Sequence, residues 1–206
     1  MDIILRNVGK KYNKTWIFRN FSHRFSAGHS YAIVGSNGSG KSTLMQIIAG
    51  YLLPTTGSIE YLAPQHTKTP PHSFFRWYTL VAPYMELIEE LTLQEFIKFH
   101  FRFKKLQDDL SWQDVIHFLS WEDASEKMLK HFSSGMKQKL QLGLAFLTDV
   151  PIVLLDEPTA NLDASNIEWY LQQIEKVKSK KLIITFSNQP HEYTFCNQVV
   201  DLESYK

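Results

Sequence analysis

The sequence holds one cysteine, Cys196, in 206 residues. A lone thiol forms neither an internal disulfide nor a zinc centre, and it fits a reducing compartment. No run of about 18 apolar residues occurs, so the chain is not expected to cross a membrane itself. The longest apolar stretches, such as Ile152–Leu155, have the length of buried strands. The start, Met1–Arg6, lacks a basic stretch leading into a long apolar one, so no secretory signal is expected. Neither sign of charge is in excess: 22 basic residues face 21 acidic ones, for a net charge of +1. A protein that grips nucleic acid usually carries a basic surplus, so no nucleic-acid partner is expected. The histidines have no convincing metal-ligand context, and His66 and His72 read as solvated residues of a Pro-rich loop. What remains is ordinary globular composition, enough for one core or a core with a smaller lobe.

Glycine is sparse too, yet three of the nine fall within six positions: Gly35, Gly38 and Gly40. Such crowding means that backbone must approach something closely. The cluster follows a short apolar strand, Ser30–Val34, and precedes a helix over Ser42–Gly50 that ends at a capping glycine. Before it, Asp2–Asn7 and Trp16–Phe25 alternate partly as strands, and Gly57–Tyr61 reads as another. Residues 62–78, rich in Pro, His and Thr, read as a loop. Leu80–Ala82 reads as a strand stopped by Pro83. From about 84 to 134 the apolar spacing turns helical, with Phe96, Ile97, Phe99 and Phe103, then Val115, Ile116, Phe118 and Leu119. Aromatics of this insertion, including Trp112 and Trp121, read most simply as its own core, with a docking surface as the alternative. The last third returns to alternation: helix 135–147, strand 152–155, helix 165–178, strand 182–186, strand 198–202. Strands alternating with helices imply a mostly parallel sheet with right-handed crossovers.

The segment Gly35-Ser36-Asn37-Gly38-Ser39-Gly40-Lys41-Ser42, with Thr43 next, has P-loop spacing. Its glycines let successive N–H groups curl around a polyphosphate, and the helix that follows adds partial positive charge. Lys41 offers a full charge to the β- and γ-phosphates, and Ser42 a hydroxyl to Mg2+. Asp156-Glu157 closes the strand 152–155, at the ligand edge of an open α/β sheet. Asp156 would hold Mg2+ through water and Glu157 would accept a proton from the attacking water. The plainer reading is two acids favouring the next helix N-terminus. Phe132-Ser133-Ser134-Gly135-Met136 opens the helix 135–147, either as an ordinary cap or as a second phosphate-binding helix end.

Taken in order, the P-loop, Phe132–Met136, Leu154-Leu155-Asp156-Glu157-Pro158-Thr159 and Asn161-Leu162-Asp163 resemble the ATP-binding subunit of ABC transporters over essentially the full length. Phe132–Met136 is a variant of that family's signature, Asp156 and Glu157 match its Walker B acids, and Asp163 lies in its D-loop. Tyr12 matches the aromatic that stacks on adenine. The resemblance implies an α/β P-loop NTPase core of ABC type, with N-terminal antiparallel strands and a helical insertion. One domain would then span 1–206: a core of 1–83 and 135–206, and a helical signature subdomain of 84–134. It implies ATP and Mg2+, and head-to-tail pairing with a second copy or a homologous ATPase subunit. Ser133, Ser134 and Gly135 of one subunit would then meet the nucleotide of the other. An integral-membrane transporter subunit would be driven from the cytoplasmic side, the chain lying peripheral on the inner face of the cell membrane.

Two departures stand out. The family's hinge glutamine falls near Ala82-Pro83-Tyr84, where there is none. Either it is missing, the favoured reading, or the loop brings in Gln65 or Glu86. The switch histidine falls at Asn188, and His191 comes three residues too late. Asn188 donates a hydrogen bond but carries no charge, so slow hydrolysis is expected. The rival functions are an ATP-gated clamp and a soluble ABC ATPase acting on nucleic acid or ribosomes. A small nucleotide kinase would need an arginine-rich lid, and 84–134 holds only Arg102.

Overall fold

The computed structural model describes residues 1–63, 67–107 and 109–206. Two strands, β1 (Asp2–Tyr12) and β2 (Thr15–Phe25), form a long antiparallel hairpin. Asn13 makes its turn with a left-handed φ of 53°, a conformation asparagine tolerates better than most residues. β1 continues five residues past the expected Asn7. Register shifts between Leu5 and Lys11 change which side chains face inward, so strict alternation fails while pairing continues. With β4 (Thr56–Leu62) and β5 (Lys68–Thr69), the hairpin makes a four-stranded sheet ordered β2-β1-β4-β5.

The second sheet is wholly parallel: β6 (Tyr78–Val81), β7 (Ile152–Asp156), β8 (Leu182–Phe186), β3 (Ser30–Val34) and β9 (Gln198–Asp201), in that order. Every residue of β7 and β8 is buried, as expected for strands covered on both faces. Helix α1 (Lys41–Ile48) and the antiparallel sheet cover one face, where Phe18, Phe21, Leu44, Ile48 and Leu154 share a core. Helices α4 (Ser134–Leu147) and α5 (Ala164–Val177) cover the other through Leu142, Phe146, Tyr170 and Ile174.

Between β6 and α4 stand two short helices, α2 (Leu93–His100) and α3 (Trp112–Leu119). Each opens with a capping box, Thr92 with Glu95 and Ser111 with Asp114, which satisfies orphan N–H groups that eight-residue helices cannot spare. They pack through Leu93, Ile97, Val115 and Leu119 onto Leu140 and Leu144 of α4, with Trp112 and Trp121 against the same cluster. Phe99 and Phe103 are left exposed.

The stretch 62–78 is not simply the expected loop. It forms β5 and a 3-10 helix over Pro71–Trp77. Pro70 and Pro71 pre-set the helical start, and Phe74 buries fully, stacked on Tyr61 at 3.7 Å between ring centroids. Gln65 and His66 lie outside the described residues. Among the described residues no helix is long and apolar enough to cross a membrane.

Candidate functional site

β3 delivers the chain into the P-loop, and α1 starts at its lysine. The turn needs left-handed backbone at Gly35, Gly38 and Gly40, whose φ angles are 150°, 79° and 104°. At Gly40 a Cβ would also sit 2.5 Å from the Ile17 side chain. The N-terminal hairpin is therefore the floor of the loop, which sequence spacing alone did not reveal. Ile17, Asn37, Gly38, Lys41, Ser42 and Glu157 border one cavity. Lys41 is buried, and its Nζ donates to the carbonyls of Gly35 at 2.7 Å and Ser36 at 3.2 Å.

β7 ends at Asp156, only 2% exposed. Its Oδ1 has no hydrogen-bond partner among the described residues. Burial pushes its carboxyl up to about 6, the Glu157 charge adds to this, and the Ser42 hydroxyl and Lys41 oppose it. Glu157 has φ of 44°, while its N–H donates to the Phe186 carbonyl at 3.0 Å. Such a left-handed non-glycine residue is strained, and strain of this kind clusters at functional sites. It turns the Glu157 side chain to the rim, where it borders both the P-loop cavity and an adjoining one with Asn37, Asn188 and His191.

β8 brings in Asn188. Its Nδ2 donates to Asn37 Oδ1 at 3.1 Å, so the amide is hydrogen-bonded to the P-loop. His191 borders the same cavity, but its Nε2 is engaged 2.9 Å from Thr159 Oγ1. Ser133 caps α4 by accepting from the Met136 N–H at 3.2 Å, and both Ser133 and Ser134 are exposed. Neither serine nor Gly135 borders the cavities at Lys41 and Glu157. Gly135 instead abuts the segment before α5: a Cβ there would lie 2.6 Å from the Asn161 carbonyl oxygen. Asp163 caps α5 through the Asn166 N–H at 2.8 Å. Tyr12 ends β1, 49% exposed, with the Lys10 ammonium 5.2 Å from its ring.

A profile of the ABC transporter family matches residues 18–160, from the hairpin to the loop after β7. The chain belongs to the ABC transporter family. The cassette is 30% identical to an uncharacterized ABC transporter ATP-binding protein of Bacillus subtilis, YybJ, over 95% of this chain and 90% of that one. In structure it is similar to the dimeric ABC transporter cassette MJ0796, with a TM-score of 0.82 at 23% identity, covering 98% of this chain and 95% of that one. It also superposes on part of a bacterial Atm1-family ABC exporter solved with ATP bound, with a TM-score of 0.80 at 20% identity, covering 98% of this chain and 37% of that one. Family membership makes it an ABC-type ATPase.

The chain leaves β6 through Ala82-Pro83-Tyr84, the stretch with no glutamine. The Tyr84 hydroxyl interacts with Asp156 and Gln46; burial and the Asp156 charge push it up to about 12. Glu86 instead borders an apolar groove between α2, α4 and β6, with Tyr51, Phe75, Met85 and Phe96. Lys104 sits in this groove and donates to the carbonyls of Phe75 at 2.5 Å and Tyr78 at 2.8 Å. No carboxylate forms an ion pair with it among the described residues.

Sequence reasoning missed Glu192. It is buried and accepts from the Thr159 N–H at 2.7 Å, from the Thr159 hydroxyl at 2.6 Å, and from the Ser187 hydroxyl. The carboxylate thus ties the loop after Glu157 to the loop that carries Asn188. With its hydroxyl hydrogen given to Glu192, Thr159 accepts from His191, which assigns the Nε2–H tautomer. Only the hydroxyl-bearing residues at the ends of β7 and β8 hinted at such an acceptor.

Proposed function

We propose that the cassette binds ATP with Mg2+ at the P-loop, hydrolyses it, and drives an integral-membrane subunit carried on another chain. The observation that carries this reading is the convergence of Lys41, Ser42 and Glu157 on one cavity, with Asp156 buried against Ser42. A buried carboxylate oxygen without a donor, beside a hydroxyl, suits a hard divalent cation. Ser42 and Asp156 would hold Mg2+, which neutralises charge on the phosphates when bound. N–H groups from Ser36 to Thr43, including Ser39, would cradle the phosphates at the N-terminus of α1. Tyr12 would stack on the adenine. Glu157 would take a proton from water as its oxygen bonds to the γ-phosphorus; the bond to the ADP oxygen breaks and phosphate leaves.

Ser133, Ser134 and Gly135 open a helix on an exposed surface away from the chain's own Lys41. That supports head-to-tail pairing, in which these groups and Asp163 meet the nucleotide of a second copy or a homologous subunit. The groove at Phe75, Met85 and Phe96 would seat an apolar segment of the membrane subunit, which would keep the cassette peripheral on the inner face of the membrane. The exposure of Tyr51 and Phe103 near the same elements supports this. Detergent extraction with a tagged cassette is expected to recover an integral-membrane protein. Phe75→Asp with Met85→Asp is expected to cut that recovery more than about tenfold. A ribosome or DNA complex recovered instead would overturn the reading.

Asn188 favours a second reading, an ATP-gated clamp that hydrolyses weakly. Its amide can hold a phosphate oxygen but supplies no positive charge. Asn188→His is expected to raise single-turnover hydrolysis about tenfold. An unchanged rate would show that Asn188 does not limit the reaction.

A further inference from the structure

The last turn of the chain reaches back to the P-loop. Ser36, its second residue, donates its N–H to Glu203 Oε1 at 2.8 Å and its hydroxyl to the same oxygen. The carbonyls of Gly35 and Ser36 accept from Lys41 Nζ. One carboxylate therefore holds Ser36 by its N–H and hydroxyl, while one ammonium holds the carbonyls of Gly35 and Ser36. Glu203 is itself held firmly. It lies in a 3-10 turn over Leu202–Tyr205, directly after β9. Leu202 is fully buried in the core beside the antiparallel sheet, and the Tyr205 ring packs 4.8 Å from Phe21. Asp201 Oδ1 accepts from the Glu203 N–H at 2.9 Å.

A negative charge beside a polyphosphate loop works against anion binding unless its hydrogen bonds do something in return. Here they fix Ser36, whose N–H shares a peptide with the Gly35 carbonyl and whose own carbonyl follows, the two oxygens that accept from the Lys41 ammonium. We propose that Glu203 is a positioning residue for ATP binding: it latches Ser36, and through Ser36 it sets the P-loop backbone that aims Lys41. This rests on the reading that ATP binds at the P-loop.

The test is titration of the cassette with ATP, with melting temperatures recorded in parallel. Glu203→Ala is expected to weaken ATP binding about fivefold, the effect of losing one or two exposed charge-assisted hydrogen bonds. Glu203→Gln keeps an acceptor without the charge and is expected to stay within about twofold of wild type. Ser36→Ala is expected to cost about twofold, and to cost nothing further in a Glu203→Ala background, because the two act as one unit. Wild-type affinity in Glu203→Ala would overturn the proposal. So would a Gln variant as weak as the Ala one, or independent, multiplying effects of Ser36→Ala and Glu203→Ala. Lys41→Ala is the separate check on the underlying reading: if it still binds ATP like wild type, the P-loop assignment fails, whatever Glu203 does.

Discussion

Replacing Glu157 by glutamine is expected to lower steady-state ATP hydrolysis at least about a hundredfold while ATP still binds, the usual loss when a general base is removed. The change is nearly isosteric, so the side chain keeps its place at the rim between the two cavities. The strained backbone at φ 44° stays too, because glutamine has the same Cβ. What goes is a proton acceptor and a negative charge. Losing the charge also relieves Asp156, whose carboxyl Glu157 helps to push up, so the buried acid ionises more readily beside Ser42. ATP binding should therefore hold or tighten as turnover stops. With turnover blocked, an ATP-bound pair of cassettes should persist on size exclusion where wild type runs as a monomer after ATP is spent. Phosphate release at the wild-type rate would remove Glu157 from the role of base.

Gly135→Asp is expected to do the opposite: to leave ATP binding to the single cassette near wild type, yet abolish the ATP-dependent pair and reduce hydrolysis by about a hundredfold or more, a loss of the size seen when a preorganised anion-stabilising donor is removed. Gly135 does not border the chain's own Lys41 cavity, so the first arm of the expectation follows. A Cβ there would press on the Asn161 carbonyl oxygen at 2.6 Å, and backbone cannot swing aside as a flexible side chain does. Asp in the first turn of α4 is otherwise favourable to a helix, so the strain falls on the exposed loop at Asn161, and a melting curve checks that the variant folds. Its carboxylate would face the phosphates of a second subunit and repel them. Equilibrium titration with ATP and light scattering with and without ATP separate the two effects. A Gly135→Asp variant that still pairs would dismiss the exposed start of α4 as a nucleotide contact.

The central strands of the parallel sheet were legible because they are short apolar runs buried on both faces, as in Ile152–Leu155 and Leu182–Phe186. The P-loop was legible because three glycines in six positions mark backbone that turns left-handed repeatedly, as a phosphate cradle does. Spacing marked Lys41 and Ser42, the end of a buried strand marked Asp156 and Glu157, and the structure brings the four together. Other features escaped, besides the hairpin floor of the P-loop. Register shifts carried β1 beyond Asn7 without alternation to mark it. The prolines before Phe74 read as loop, although that ring is buried on Tyr61. Glu192 was invisible because its donors, Thr159 and Ser187, stand 33 and five residues away, and nothing local marks a carboxylate that will be buried without a cation. Tyr84 was noticed only as an absence of glutamine; its approach to Asp156 is a tertiary fact.

The sheet order also has a bearing on how this protein is made. β3, which ends where the P-loop begins, pairs with β8 on one side and β9 on the other. Both of those strands are synthesised after residue 181. While the chain is still emerging from the ribosome, the strand that must present the phosphate loop has neither hydrogen-bonding neighbour. Such long-range parallel pairing closes slowly. A truncated product that stops before Leu182 carries every glycine of the motif and still cannot hold the loop in shape. A P-loop ready for nucleotide therefore waits on strands made about 150 residues after it, and the sheet around β3 closes only once β8 and β9 exist.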